Sequence, residues 1–253
     1  KTMVARRMPT IMPAMDLAEC IEISKIYSVS RLLSDQEPLV LKRPFRNPHH
    51  TVSPQALAGG GGRPRPGEIS LASGGILFLD ELPEMGREAL ETLRQPLEER
   101  RVTITRLQGA VTYPANFQLV AAMNPCPCGH FPDRSRCSCT PAQIRKYLGR
   151  ISGPLLDRID ICVEAAPVSY DEIRVNKGGE SSVSIRSRVE RARKLQARRF
   201  RGLGIRCNAE MTGAMIRRFC VLDTESERLL EEVYQTKGMS ARTYDRILKV
   251  ART

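Results

Sequence analysis

The sequence lacks the features of a membrane or a secreted protein. No apolar run approaches the roughly 18 residues that are needed to cross a bilayer, and no signal peptide opens the chain. Eight cysteines among 253 residues are too few for a disulfide scaffold, since such scaffolds are shorter and far richer in cysteine. No internal repeat is visible. We therefore expect a cytoplasmic protein without a membrane partner.

The charge of the chain is strongly positive. Lys and Arg number 40 against 28 Asp and Glu, which gives a formal net charge of +12. An excess of this size favours polyanionic partners such as nucleic acid or nucleotides, although a merely basic protein has it too. Hydrophobic residues make up 41% of the chain, which is enough for a real core. The length suits one large domain, or a large domain with a small one.

Continuous apolar runs predict the central strands of an α/β core. Residues 76–79 (ILFL) and 117–123 (FQLVAAM) suit parallel strands that are buried on both faces. Residues 159–163 are predicted as a further strand. The helical spacing of Leu90, Leu93 and Leu97 predicts a helix between two of these strands.

The pattern changes after Pro167, and we place a domain boundary there. Residues 1–167 are predicted to form the α/β core with a parallel sheet, and residues 168–253 a smaller all-α lid domain. Three further segments interrupt the core: a basic, Pro- and Gly-rich insertion near 40–70, a hairpin near 102–113 and a Cys-rich loop near 125–140.

Two adjacent carboxylates, Asp80 and Glu81, follow the first apolar run. Open α/β sheets bind ligands at the carboxyl ends of their strands. In nucleoside-triphosphate hydrolysis the first carboxylate holds Mg²⁺ and the second polarises the attacking water. The alternative is a strand that simply ends in solvated acids.

The chain begins with Lys1-Thr2, the last two residues of the phosphate-binding pattern G-x-x-x-x-G-K-[ST]. Lys1 would reach the β- and γ-phosphates of ATP, and Thr2 would ligate Mg²⁺. The order of loop end, helix and apolar strand with two acids predicts a P-loop ATPase. Because the start is not Met and the glycines of the loop are absent, we expect a chain cut from a longer protein that binds ATP poorly.

Three further polar residues stand where a nucleotide site needs them. Asn124, at the tip of the second apolar run, would hold the attacking water, or else is a turn residue before Pro125. Arg158 suits bidentate capture of a phosphoryl group, unless it makes a local ion pair. Arg242, which opens the last helix, is a lid cation or a solvated helix charge.

The Cys-rich loop contains the pattern C-x-C-x₈-C-x-C, formed by Cys126, Cys128, Cys137 and Cys139. Four thiolates can make a closed tetrahedral Zn²⁺ site, although the usual spacing is C-x₂-C. His130 is a spare ligand. The alternative is a loop of free thiols. If zinc is bound, it would brace the loop after Asn124 and take no part in catalysis.

Several motifs, in order along nearly the whole chain, carry a family resemblance. They are residues 43–51 (RPFRNPHHT), 67–72 (GEISLA), the strand ending in Asp80-Glu81, Asn124-Pro125 and residues 152–160 (SGPLLDRID). With them the chain resembles AAA+ ATPases of the magnesium-chelatase group and, within that group, the ComM-type competence proteins. The resemblance implies a P-loop three-layer αβα core with a C-terminal helical lid.

The resemblance also implies roles and partners. The Walker A loop would end in Lys1 and Thr2, Walker B would be Asp80 and Glu81, sensor 1 Asn124, the arginine finger Arg158 and the sensor 2 arginine Arg242. ATP and Mg²⁺ would be bound, and the chain would form a ring, usually a hexamer, because an arginine finger acts on a neighbour's ATP. The family's ComM-type members imply action on single-stranded or branched DNA, as a helicase in branch migration.

In such a ring, the hairpin and the basic insertion would face the central pore. The arginines that would contact DNA phosphates are Arg43, Arg46, Arg63, Arg65, Arg101 and Arg106. No sequence-reading element is evident, so binding would be directed to the backbone. His49 and His50 are interpreted as local structure. Two other functions remain open: a magnesium-chelatase ATPase subunit that inserts metal into a porphyrin, and an ATP-gated scaffold that remodels proteins.

Overall fold

The computed structural model describes residues 1–62, 64–106, 109–166, 174 and 179–253. The chain forms two compact units. The first comprises Lys1–Thr10 and Ala14–Ile159, and the second Ile11–Pro13 and Asp160–Thr253. The predicted boundary at residues 167 and 168 lies outside the described residues. Among those described, no helix is both long enough and apolar enough to span a membrane.

The first unit combines short strands with short helices. Its described strands are β1 (Phe45–Arg46), β2 (Gly59–Gly60), β3 (Arg65–Pro66), β4 (Ile76–Leu79), β5 (Arg101–Arg106), β6 (Gly109–Pro114) and β7 (Gln118–Ala121). Its described helices are α1 (Thr2–Arg7), α2 (Leu17–Val29), α3 (Pro54–Ala58), α4 (Glu68–Leu71), α5 (Arg87–Glu91), α6 (Arg94–Glu99), α7 (Pro141–Leu148) and α8 (Gly153–Leu156).

The central sheet of this unit has the order β1-β4-β7, with both neighbours parallel to β4. All four side chains of β4 are fully buried, because the strand has a hydrogen-bonded neighbour on each side and helices pack on the sheet. Leu77 and Leu79 join a core with Leu90 and Leu93, the leucines of the predicted helix. The predicted α/β core is therefore confirmed.

The outer strands are less buried than the sequence suggests. The apolar run at 117–123 forms β7 only over Gln118–Ala121, and the residues of this strand are exposed or half-buried. The predicted strand at 159–163 is wrong, because these residues have no regular structure. Ile161 and Val163 are 65% and 83% exposed. An apolar run alone does not supply the neighbouring strand that a buried strand requires.

Strands β5 and β6 form an antiparallel hairpin where the sequence predicts one. The pairing extends from Arg101 opposite Pro114 to Arg106 opposite Gly109, and the two residues at its tip lie outside the described part of the chain. Val102, Ile104 and Tyr113 anchor the base of the hairpin in the core. Its other side chains are exposed, so the hairpin presents its arginines to solvent.

The second unit is helical, as predicted. Its described helices are α9 (Ser182–Arg199), α10 (Gly213–Phe219), α11 (Thr224–Lys237) and α12 (Ala241–Ala251). Phe200, Met211, Ile216, Cys220 and Leu248 form its core. Ser, Thr or Asp side chains cap the N-termini of all four helices, each accepting a backbone N–H of the first turn. The C-terminal helical region is therefore confirmed.

The start of β4 depends on a glycine at position 75. A Cβ atom added to Gly75 would lie 2.0 Å from the carbonyl oxygen of Pro44, which accepts the Ile76 N–H at 2.8 Å. We predict that Gly75→Ala lowers the free energy of unfolding by about 1–3 kcal/mol, because backbone must move to admit the methyl group. Urea denaturation measures the change.

Gly153→Ala is the matched control, since no atom lies within 4 Å of the added Cβ at this helical position. We expect that variant to be as stable as the parent or slightly more stable. Equal stability of the two variants would contradict the packing argument.

Candidate functional site

Asp80 lies at the carboxyl end of β4 and accepts a hydrogen bond from the start of the chain. The Thr2 hydroxyl donates to Asp80 Oδ2 at 2.6 Å, and both side chains are partly buried. Thr2 is the first residue of α1, so the helix begins beside the strand tip. The two oxygen ligands that the sequence predicts for Mg²⁺ are therefore in direct contact.

Lys1 contacts the tip of the neighbouring strand. Its ammonium group donates to Asn124 Oδ1 at 2.9 Å and to the carbonyl oxygen of Met123. Asn124 follows β7, whose last residue, Ala121, pairs with Leu79 of β4. The parallel register therefore brings Asn124 to the same edge as Asp80. Four predicted site residues converge there, joined in two hydrogen-bonded pairs.

Glu81 has a different partner and an unusual backbone. Its φ and ψ are 51° and 45°, the left-handed region that a non-glycine residue adopts at a cost. Its Oε2 lies 3.1 Å from His50 Nδ1. The His50 ring packs on that of His49, with centroids 4.1 Å apart, and His49 Nδ1 lies 2.9 Å from the Thr51 hydroxyl. His50, which packs on His49 after β1, thus lies against the carboxylate of Glu81.

The four cysteines of the loop after Asn124 converge in space. Their sulfur atoms all lie within 4.8 Å of one another. Cys126 Sγ is 3.3 Å from Cys128 Sγ and 3.8 Å from Cys137 Sγ, and Cys128 Sγ is 3.6 Å from Cys137 Sγ. None is in a disulfide. The cluster is therefore close enough to hold a metal ion.

The four thiols differ in acidity: the pKa is lowered for Cys126 and Cys128 and raised for Cys137 and Cys139, and the thiolate is the form that binds metal. The His130 backbone and the Cys126 thiol lower the pKa of the Cys128 thiol to about 6. Against a backbone contact with Cys128 that lowers it, desolvation and the Cys128 and Cys126 thiols raise the pKa of Cys139 to about 11. Phe131 N–H donates to Cys126 Sγ at 3.4 Å. Cys126 is fully buried, so the pocket is shielded from solvent on that side.

The predicted nucleic-acid arginines fall into two groups. Arg43 donates to the Gly74 carbonyl at 2.7 Å and pairs with Glu19 at 3.2 Å, and its side chain is only 12% exposed. Arg46 donates hydrogen bonds to both carboxylate oxygens of Glu68, at 2.6 and 2.7 Å. This bond raises the pKa of Arg46, although burial opposes it. Both guanidinium groups are thus engaged within the first unit.

Three more arginines of that set, Arg65, Arg101 and Arg106, are exposed. Arg63 lies outside the described residues. Arg65 is on β3, and Arg101 and Arg106 are at opposite ends of β5. Arg101 pairs with Glu99 at 3.2 Å across an exposed surface. Such exposed pairs exchange readily with solvent or with another anion.

Comparison with known proteins identifies the family. A family model described as magnesium chelatase, subunit ChlI, matches residues 1–173, and a second, described as the C-terminal part of that subunit, matches residues 179–253. The chain belongs to the magnesium-chelatase family. Its α/β core and C-terminal helical region are consistent with the AAA+ fold of that family, and the predicted ComM-type resemblance is confirmed by the relatives below.

The curated proteins that this chain matches are bacterial. It is 43% identical over 257 residues to the competence protein ComM of Haemophilus influenzae, covering 100% of this chain and 49% of ComM. It is 44% identical over 255 residues to an uncharacterised protein, YifB, of Salmonella typhimurium, covering 100% and 49%. It is 43% identical over 252 residues to an uncharacterised protein, Rv2897c, of Mycobacterium tuberculosis, covering 99% and 50%. The chain spans about half the length of these relatives.

The two remaining predicted arginines lie in different units. Arg158 pairs with Glu98 of α6 and donates to the Pro154 carbonyl at 2.6 Å, and its side chain is 10% exposed. Arg242 lies in the first turn of α12, in the second unit. Their roles as arginine finger and sensor 2 stay predictions.

The contact at the site that sequence reasoning does not find is that of His50 with Glu81, since the sequence favours local structure for this histidine. Its contact with Glu81 depends on the pairing of β1 with β4, and β1 is only two residues long. So short a strand has no periodic pattern. The only signal was the position of the His pair in a motif beside the predicted carboxylate strand.

Proposed function

We propose that this chain is the ATP-hydrolysing motor domain of a ComM-like protein. The family membership suggests ATPase activity, and the observation that carries the proposal is the Thr2–Asp80 hydrogen bond at 2.6 Å beside the Lys1–Asn124 pair. The residues fit Mg-ATP, because a hydroxyl and a carboxylate are the oxygen ligands that Mg²⁺ prefers. Lys1 supplies a cation for the phosphates, and a bound Mg²⁺ would neutralise charge that develops on them.

The residues at the strand tips divide the remaining work. Glu81 accepts a proton from the attacking water, and Asn124 orients that water by hydrogen bonding. His50 positions the Glu81 carboxylate from the side of β1 through the contact at 3.1 Å. Lys1 would bind the phosphates, and Thr2 with Asp80 would hold a Mg²⁺ ion beside them.

We predict that Glu81→Gln in the full-length protein lowers ATP turnover at least about 100-fold, because the amide cannot accept the proton. ATP affinity should change little, since Lys1, Thr2 and Asp80 are intact. Turnover is measured by phosphate release and affinity by equilibrium binding. Glu88→Gln, on the exposed side of α5, is the control and should keep full turnover. Parent-like hydrolysis by Glu81→Gln would refute the mechanism.

We propose further that the motor works as a ring, a hexamer by family resemblance. Arg158 would act as the arginine finger on a neighbour's ATP, and Arg242 as the sensor 2 arginine. In a single chain Arg158 pairs with Glu98, so it would exchange that carboxylate for a phosphoryl group on ring closure. Both groups are oxyanions with which a planar guanidinium can form two parallel hydrogen bonds.

The substrate that we propose for the motor is single-stranded or branched DNA, in branch migration in the cytoplasm. The net charge of +12, the exposed arginines on the β5–β6 hairpin and the likeness to a competence protein support this. Among the predicted phosphate contacts, the hairpin residues Arg101 and Arg106 are favoured over Arg43 and Arg46, which are already engaged. The family description favours a second candidate, an ATPase subunit that serves metal insertion into porphyrin.

We predict that Arg101→Ala combined with Arg106→Ala weakens single-strand binding by the full-length protein. The negative slope of log affinity against log salt should become less steep by about 2, one for each lost phosphate contact. ATPase activity without DNA should be retained. Arg87→Ala, at an exposed position of α5, is the control. Unchanged affinity would remove the hairpin from the interface, and a lack of ATPase stimulation by DNA would favour the porphyrin candidate.

We also propose that the four-cysteine cluster holds a structural zinc ion. With a metal–sulfur distance of about 2.3 Å, a tetrahedral site has sulfur atoms about 3.8 Å apart. The sulfur atoms of Cys126, Cys128 and Cys137 are 3.3–3.8 Å apart, close to that value, and that of Cys139 lies within 4.8 Å of each. Four protein ligands leave no open position for a substrate, so the ion would stabilise the loop and not act in catalysis.

Protein purified without chelator should contain one zinc ion per chain by elemental analysis. Cys128→Ser should lower the zinc content, because the cluster loses a ligand. Cys162→Ser is the control, since Cys162 is exposed and outside the cluster, and it should retain full zinc. A parent protein without stoichiometric zinc would end this part of the proposal.

A further inference from the structure

The four-cysteine cluster ties the two ends of one loop to the strand-tip site. The loop connects β7 to α7. Cys126 comes two residues after Asn124, and Cys139 directly precedes Thr140, whose side chain caps α7 in a capping box with Gln143. A metal ion in the cluster would therefore join the end of β7 to the start of α7.

Asn124 is surrounded by groups from α7, from the loop and from the start of the chain. Its backbone N–H faces the phenol oxygen of Tyr147, a buried side chain of α7, and this proximity opposes the rise in the Tyr147 pKa that burial causes. Its side-chain amide faces Gly129 of the loop, where an added Cβ would lie 3.9 Å from Asn124 Cγ. Gly129 has φ +81°, the left-handed conformation that glycine favours. The third contact is the hydrogen bond from Lys1.

The loop has no hydrophobic core of its own to maintain this arrangement. Among residues 125–140, all of which the structure describes, only Cys126 is buried. The loop must therefore be stabilised by its turns and by a crosslink between its sulfur atoms. A metal ion that joins four thiolates supplies such a crosslink, as it does in small domains that fold only around zinc.

We propose that the metal bound by Cys126, Cys128, Cys137 and Cys139 positions Asn124 for ATP hydrolysis. It does so by fixing Gly129 beside the side-chain amide of Asn124, and by fixing α7, which carries Tyr147, beside the backbone of Asn124. The metal would thus control the water-orienting group while leaving the phosphate-binding groups Lys1, Thr2 and Asp80 in place. This inference rests on the proposed ATPase function.

The test compares the zinc-loaded and the zinc-free full-length protein, with Mg²⁺ restored to both. On zinc removal we expect kcat to fall at least about tenfold, because a displacement of about 1 Å at a reacting group can cost up to about 100-fold. The Kd for ATP should stay within about twofold, since the binding groups are untouched. Added Zn²⁺ should restore kcat. The Cys162→Ser variant should show the same response to zinc as the parent.

Tyr147→Phe separates positioning from loop folding. It removes the phenol oxygen that faces the Asn124 backbone N–H without touching the metal ligands, so it should keep full zinc and lose kcat with Kd for ATP unchanged. Zinc-free protein with parent-like kcat, or a parallel loss of kcat and ATP binding, would overturn the inference and leave the ATPase proposal standing. Zinc-loaded protein without any ATPase activity would refute the proposed function, and the inference falls with it.

Discussion

The burial of β4 between two parallel neighbours is the constraint on which the site depends. Its four side chains are completely excluded from solvent, so the strand is fixed in register against β1 and β7. Parallel pairing brings the carboxyl ends of all three strands to one edge. The segments that follow them carry His50, the Asp80–Glu81 pair and Asn124. The arrangement of the proposed site therefore follows from the packing of apolar residues that lie in the core.

Much of the site could be predicted because its residues are attached to strong patterns. Asp80 and Glu81 end a four-residue apolar run, and Asn124 ends another, so their meeting follows from a parallel sheet. The exposure of β7 and the irregular chain at 159–163 could not be predicted, because an apolar run does not reveal whether a neighbouring strand exists. The contact of His50 with Glu81 depends on a strand too short to leave a pattern.

Charge shows the same limit of sequence reasoning. Arg43, Arg46, Arg101 and Arg106 are indistinguishable by composition, yet the fold gives the first two carboxylate partners from α2 and α4. Those partners are 24 and 22 residues away in the chain, so only the tertiary structure pairs them. Arg43 and Arg46 are therefore paired with carboxylates inside the protein, whereas the arginines of the hairpin stay exposed to a polyanionic partner.

The left-handed backbone at Glu81 has a consequence for how this domain can change. A non-glycine residue in that conformation costs about 1–2 kcal/mol, which glycine would not incur. Glycine at this position would stabilise the turn and abolish the carboxylate that His50 holds. Stability thus favours glycine at this position, whereas the proposed ATP hydrolysis requires glutamate. Selection for heat resistance alone would therefore favour Glu81→Gly, a variant without the proposed general base.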